Sequence, residues 1–195
     1  MLVETRMDGF DVRSAVVLGS ARAVVFDTLA HPSDMAPVRP LVEGRPVTVV
    51  YSHADWDHAW GTCGLDEWGE VIAHSAASER FRDDVPRELA ERRASSTEAR
   101  AVELVPPDRA VTGGVELDLG DVTLALSPLP GHTPDSLVAF ARPWGVLLAG
   151  DAVETPLPVV NDVAALPGWI GGLETWARDP AVTTVVPSHG RVGGR

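Results

Sequence analysis

The chain contains no lysine, so all 16 of its basic residues are arginine. Schiff-base catalysis, P-loop phosphate binding and lysine general-base chemistry are thereby excluded. Cysteine is almost missing as well. The lone Cys63, in "WGTCG", can form neither an internal disulfide nor a Cys-rich zinc knot, and it reads as a packing residue. That usage agrees with a reducing compartment, and a cytoplasmic location is the expectation. Long apolar runs are lacking too. The N-terminal "MLVETRMDGFDVR" interrupts its apolar residues with charges, and no run reaches the ~18 residues of a membrane span, so no membrane partner is expected. Positive charge is scarce overall: 28 acidic residues give a net charge of −12, which repels phosphate backbones and argues against a nucleic-acid partner.

What the chain does have is an ordinary globular composition, with 45% hydrophobic and 23% charged residues over 195 positions. This suits a single domain over residues 1–195 with a sizeable core. "SAVVLG" and "ARAVVFDT", parted by a Gly-Ser turn, predict an antiparallel hairpin. A proline-punctuated segment, 33–43, predicts one helix. "PVTVVYS" (46–52) is a continuous apolar run, the pattern of a strand covered on both faces. "EVIAH" (70–74) is a further strand, followed by a helical insertion at about 75–100 with Ser75 as N-cap and Pro86 opening a second helix. The run "ERFRDDVPRELAERR" within it reads as a solvated helix face. "VELDLG", "VTLALSP", "LVAFA" and "GVLLAG" predict short strands, 167–180 a helix, and "VTTVVPSHG" a last strand. The rhythm of both halves points to facing sheets flanked by helices.

Polar, titratable groups recur where these apolar strands end. "YSHADWDH" supplies His53, Asp55, Asp57 and His58; His132 follows "SPLPG", Asp151 follows "GVLLAG" and His189 follows "TVVPS". Loops at strand ends tolerate such groups without disturbing a core. Neutral imidazole and carboxylate suit zinc, iron and manganese, and the lack of Cys donors argues against a structural zinc site. Seven donors exceed the needs of one ion, whereas two ions sharing a bridging carboxylate use all seven and keep positions open for water. Asp27, in "FDT", is placed to accept a hydrogen bond from a ligand histidine. His31 and His74 read as structural, and Trp56 and Trp60 as packing of the loop.

"HADWDH", "PGHTPDS", "LLAGD" and "PSHG", in this order, resemble the metallo-β-lactamase fold superfamily, whose usual first motif is His-x-His-x-Asp-His; the likeness spans nearly the whole chain. The resemblance implies an α/β, four-layer αββα sandwich with metals at one edge. It also implies that His53, Asp55 and His132 hold one divalent ion, that Asp57, His58 and His189 hold a second, and that Asp151 bridges them.

Position 55 departs from the motif, carrying Asp where His is usual. The flavodiiron group also has a carboxylate there, the longer Glu, and resembles this chain in that respect. Its flavin-bearing domain has no counterpart in the six residues after His189, so oxygen reduction by this chain alone is not expected. With Asp55, Asp57 and Asp151, three negative charges meet four positive ones. That weakens the Lewis acid and favours manganese or iron over zinc. Because Asp is shorter than His, the first site is expected to be the looser one.

The expected activity is hydrolysis through a metal-bound hydroxide, with Asp57 orienting the nucleophile and moving a proton. β-Lactam-binding members of the family carry Lys or Arg after the bridging Asp, where this chain has Glu154; family lactonases have a Tyr in that region, and the sole Tyr51 lies ahead of His53. A small ester, thioester, lactone or phosphoester remains as substrate, in a pocket walled by residues 75–100 and 154–170. The alternatives are a metal- or partner-binding module without catalysis, with Asp55 as the mark of decay, and an iron-dependent oxygenase.

Overall fold

The computed structural model describes residues 1–7 and 9–194. Two six-stranded sheets face each other. The first comprises β1 (Leu2–Arg6), β2 (Asp11–Leu18), β3 (Ala23–Phe26), β4 (Val47–Val50), β5 (Glu70–His74) and β6 (Arg109–Val111), side by side in chain order. The second holds β7 (Val115–Asp118), β8 (Thr123–Pro128), β9 (Leu137–Ala141), β10 (Val146–Gly150), β11 (Thr184–Pro187) and β12 (Gly193–Gly194), again with neighbours in chain order. Within the first sheet β3, β4, β5 and β6 run parallel, so their carboxyl ends share one edge. In the second sheet β10 and β11 are the parallel pair.

The central strands read as unbroken apolar runs because each face is buried against something different. In β3, Ala23 and Val25 point to the helices outside the first sheet, while Val24 and Phe26 meet the second sheet. In β9, Leu137 and Ala139 face the inter-sheet core and Val138 and Phe140 face the outer helix of the second sheet. The period-2 geometry of a strand thus builds three apolar layers between four layers of structure. This is the αββα sandwich. On the first sheet lie α3 (Ser75–Asp83) and α4 (Val85–Ser95), whose Ala77, Phe81, Val85 and Leu89 are buried against it. On the second lies α6 (Leu166–Arg178), packed through Trp169, Leu173 and Trp176. Shorter helices are α1 (Arg39–Val42), α2 (Trp56–Ala59) and α5 (Thr97–Arg100).

Several local expectations are corrected. The N-terminal strand β1 escapes a search for apolar runs, because it is an edge strand whose exposed and half-buried residues alternate. The segment 33–43 is not one helix. Pro37 and Pro40 punctuate it, and it forms a 3-10 turn at Pro32–Met35 followed by α1. The cap of α3 is His74 rather than Ser75: the His74 ring accepts the Ala76 N–H at 3.3 Å. Cys63 is half-buried, with its sulfur 3.2 Å from the Glu103 nitrogen. No helix among the described residues is long and apolar enough to cross a membrane.

Candidate metal centre

β4 delivers the first group of polar residues. Its backbone leaves the sheet at Tyr51, passes His53 and Asp55, and turns into α2, which carries Asp57 and His58 one after the other. His132 comes from the β8–β9 loop, Asp151 from the end of β10 and His189 from the end of β11. All seven side chains predicted from sequence converge at this one edge of the sandwich.

Their spacing is regular. The Asp151 Oδ2 atom lies 3.8 Å from His53 Nε2, 3.3 Å from His58 Nε2, 3.6 Å from His132 Nε2 and 3.3 Å from His189 Nε2. On one side, Asp55 Oδ2 stands 3.3 Å from His53 Nε2 and 3.5 Å from His132 Nε2. On the other, Asp57 approaches His58 Nε2 at 3.6 Å and His189 Nε2 at 3.4 Å. Donors that surround a tetrahedral ion at about 2.0–2.1 Å stand roughly 3.3–3.4 Å from one another, which is close to these separations.

The four imidazoles are also held in one tautomer. His189 Nδ1 donates to the Asp11 carbonyl at 2.8 Å and His132 Nδ1 to the Val159 carbonyl at 3.1 Å. His58 Nδ1 donates to Asp27 Oδ2 at 2.9 Å. Ser52 Oγ spends its proton on Asp27 Oδ2, so it accepts from His53 Nδ1 at 2.9 Å. When the rings are neutral, a proton on each Nδ1 leaves every Nε2 with a lone pair toward the centre. His53 Nε2, His132 Nε2 and Asp151 Oδ1 are buried with no hydrogen-bond partner among the described residues. Buried polar atoms are rarely left so. A cation at the centre would satisfy the two imidazole nitrogens, and the donor set fits divalent metal ions.

The electrostatics agree. Burial disfavours protonation of His58, yet Asp151, Asp57 and Asp27 outweigh it and push its pKa well above the ordinary value. His132 and His189 shift upward in the same way, burial being overcome by Asp55 and Asp151 at His132 and chiefly by Asp151 at His189. Burial would raise the Asp151 carboxyl, but the surrounding imidazoles hold it far below the carboxylate range. A field that attracts protons to imidazoles attracts a cation between them equally.

A cavity of about 570 Å³ opens over the cluster. Glu154, Pro156, Val159 and Asn161 form one wall, the leading part of the 154–170 segment expected there; residues 162–170 do not line it. The other wall is not the 75–100 segment, whose helices cover the outer face of the first sheet. It is the β1–β2 turn, through Arg6, Gly9 and Phe10. Phe10, a lone aromatic within a charged turn, was the available signal. It packs edge-on against the His189 ring, with centroids 5.3 Å apart. Trp60 is buried, whereas Trp56 is sandwiched between Phe10 and the Arg92 guanidinium, which lies 3.8 Å above its ring. Tyr51 turns away from the cavity, its hydroxyl 2.7 Å from Thr62 Oγ1. Glu154 sits behind His132, with Oε1 3.4 Å from Nδ1, and burial raises its pKa. Sequence reasoning did not give it a place in the cluster.

The family model of the metallo-beta-lactamase superfamily matches residues 7–189. The chain belongs to that superfamily. Among solved structures, this superfamily member is similar to a metallo-beta-lactamase from Pontibacter korlensis, at a TM-score of 0.75 with 19% identity over 99% of this chain and 87% of that one. A metallo-beta-lactamase family protein from Thermus thermophilus superposes at a TM-score of 0.78 with 17% identity, covering 100% of this chain and 74% of that one. Those likenesses concern the fold. Among curated proteins, the acyl-coenzyme A thioesterase MBLAC2 of Gallus gallus is 32% identical over 136 residues, 64% of this chain and 46% of the relative. A hydroxyacylglutathione hydrolase of Anaeromyxobacter dehalogenans (strain 2CP-C) is 28% identical over 112 residues, 56% of this chain and 33% of the relative. The chain spans less than half the length of the curated relatives it matches.

Proposed function

We propose that the protein is a hydrolase dependent on two divalent ions, acting on a small acyl thioester ahead of an ester, lactone or phosphoester. The observation that carries this reading is the position of Asp151 Oδ2, within 3.3–3.8 Å of the Nε2 atoms of all four histidines, from which it would be shared by ions held on either side. His53, Asp55 and His132 hold one ion; Asp57, His58 and His189 hold the other. The second set is the more compact about Asp151, its histidines at 3.3 Å against 3.6 and 3.8 Å, which supports tighter binding there. Carboxylate-rich donor sets favour manganese or iron over zinc.

When bound, such ions bring the pKa of water toward neutrality and polarise a carbonyl, so no Ser or Cys nucleophile is needed. The chain's own residues supply orientation and proton handling. Asp57 lines the cavity with its carboxylate against His58 and His189, where it orients the nucleophile and afterwards carries a proton to the leaving group. Phe10, Pro156 and Val159 give the cavity apolar walls. Among the described residues Arg6 is the one arginine lining it, and Asp11 already engages that guanidinium at 2.9 Å. A carboxylate next to the reacting carbonyl would meet Glu154 across the cavity, and the one arginine there is largely exposed and already shares its charge with Asp11. This favours a neutral acyl group, and the two curated relatives, named as a thioesterase and a hydroxyacylglutathione hydrolase, favour a thioester.

The test is thiol release from acyl-coenzyme A and acylglutathione by protein loaded with manganese(II), iron(II) or zinc(II), beside aryl esters, lactones and phosphodiesters. The expected result is thiol release that a chelator abolishes and that Asp57→Asn reduces about 100-fold or more. Silence toward every substrate with two ions bound overturns the hydrolase. Turnover of lactone or phosphodiester without thioester overturns the substrate class.

A further inference from the structure

The resemblance to the His-x-His-x-Asp-His motif sets Asp55 at the position of an imidazole, and the structure shows what surrounds this carboxylate. Arg80, six residues into α3, reaches back over the site. Its Nη2 donates to Asp55 Oδ1 and its Nη1 donates to Asp135 Oδ1 at 2.8 Å. Asp135 is fully buried, and its other oxygen accepts the Ala54 N–H at 2.8 Å. One guanidinium fork thus ties the β4 loop, which carries His53 and Asp55, to the β8–β9 loop, which carries His132. A free aspartate has two equivalent oxygens, can chelate an ion with both and can rotate about two bonds. Here Oδ1 is committed to Arg80, and Oδ2 alone faces the cluster, 3.3 and 3.5 Å from His53 Nε2 and His132 Nε2. A planar fork imposes such a direction on a carboxylate; a point charge does not.

We propose that Arg80 is the positioning residue that lets Asp55 serve as a one-oxygen donor in place of histidine. It blocks one carboxylate oxygen, aims the other, and offsets the negative charge that the exchange adds. Arg80 acts through Asp55, without itself touching substrate or ion. The inference rests on the two-ion reading of the site given above.

Metal titration separates the two. Wild type, Arg80→Met, Asp55→His and the double variant are stripped of metal, and manganese(II) and zinc(II) affinity and stoichiometry are measured calorimetrically. Wild type is expected to bind two equivalents; fewer than two overturns the two-ion reading itself. Arg80→Met is expected to keep one tight equivalent, in the Asp57, His58 and His189 set, and to weaken the other at least tenfold. The retained equivalent also reports that the fold survives. In the Asp55→His background the same loss of Arg80 is expected to change neither affinity more than twofold, since an imidazole with one lone pair needs no clamp. The inference is overturned if Arg80→Met binds both ions as wild type does. It is equally overturned if that variant loses both together, or if the double variant binds no better than Arg80→Met.

Discussion

Asp27 accepts hydrogen bonds from the Ser52 N–H at 2.6 Å, Ser52 Oγ at 2.7 Å, His58 Nδ1 at 2.9 Å and Ser188 Oγ at 3.3 Å, from a fully buried position. Its backbone is left-handed, with φ of 63°, a conformation Asp and Asn adopt more readily than other side chains. One carboxylate thereby fixes the His58 ring and, through Ser52, the His53 ring, one histidine from each of the two proposed ligand sets. Asp27→Asn keeps the shape and the backbone preference but puts an amide NH2 where a donor expects an oxygen. Carboxylates that back a metal-binding histidine are worth about 10–100-fold in metal affinity. A loss in that range, measured by competition with a chromogenic chelator, is expected, with the larger effect on the ion held by His58. Unchanged affinity for both ions counts against the role. This residue was visible in sequence as the polar end of an apolar strand. Glu154 was not placed, because its contact with His132 depends on the path of the 155–161 loop, which nothing local in the sequence specifies.

Among the elements, those buried on both faces were the legible ones. β4, β9 and β10 declare themselves by unbroken apolar runs, and α6 by its length and aromatic spacing. Edge elements were illegible for the opposite reason. β1 has solvent on its outer side and spends its alternate residues on charge, and its turn into β2 became a cavity wall through one aromatic, Phe10. The helices at 75–100 were expected to wall the cavity, yet their apolar residues bury against the first sheet, and only Arg80 of α3 reaches the site. How elements meet is shown best by Gly150, the last residue of β10, directly before Asp151. Its φ is +55°, and a Cβ there would stand 2.8 Å from Ser52 Cβ, on the residue that links Asp27 to His53. Gly150→Ala therefore combines left-handed strain with a clash inside the hydrogen-bonded frame of the centre, at a cost of about 1–3 kcal/mol. A lowered Tm together with weakened binding of both ions is expected, because Asp151 faces both sets. A melt and a metal titration that match wild type would remove Gly150 from this account.

At the scale of the molecule, the proposed metal centre implies a competition between protons and cations. Without metal, the raised pKa values of His58, His132 and His189 mean that their charged forms stabilise the fold. That contribution is complete below the unfolded value of about 6.5 and is lost as pH rises through the folded values. The depressed carboxyls of Asp55 and Asp151 act in the other direction, contributing above about pH 3.9 and failing as pH falls through their lowered values. The metal-free protein thus draws most from this cluster between roughly pH 4 and 6.5, and under alkaline conditions it is left with facing carboxylates that no proton offsets. A divalent ion reverses the order, because it needs the Nε2 lone pairs that protons occupy at low pH. An ion that prefers the folded state to the unfolded one stabilises the fold in proportion to that preference. The rise in Tm on adding manganese(II) or zinc(II) is therefore expected to be larger at pH 8 than at pH 6. Scanning calorimetry of the chelator-treated protein with and without the ion at both pH values measures it. An equal or smaller increment at pH 8 would mean that protons and cations do not compete for these seven side chains, and the metal centre would have to lie elsewhere.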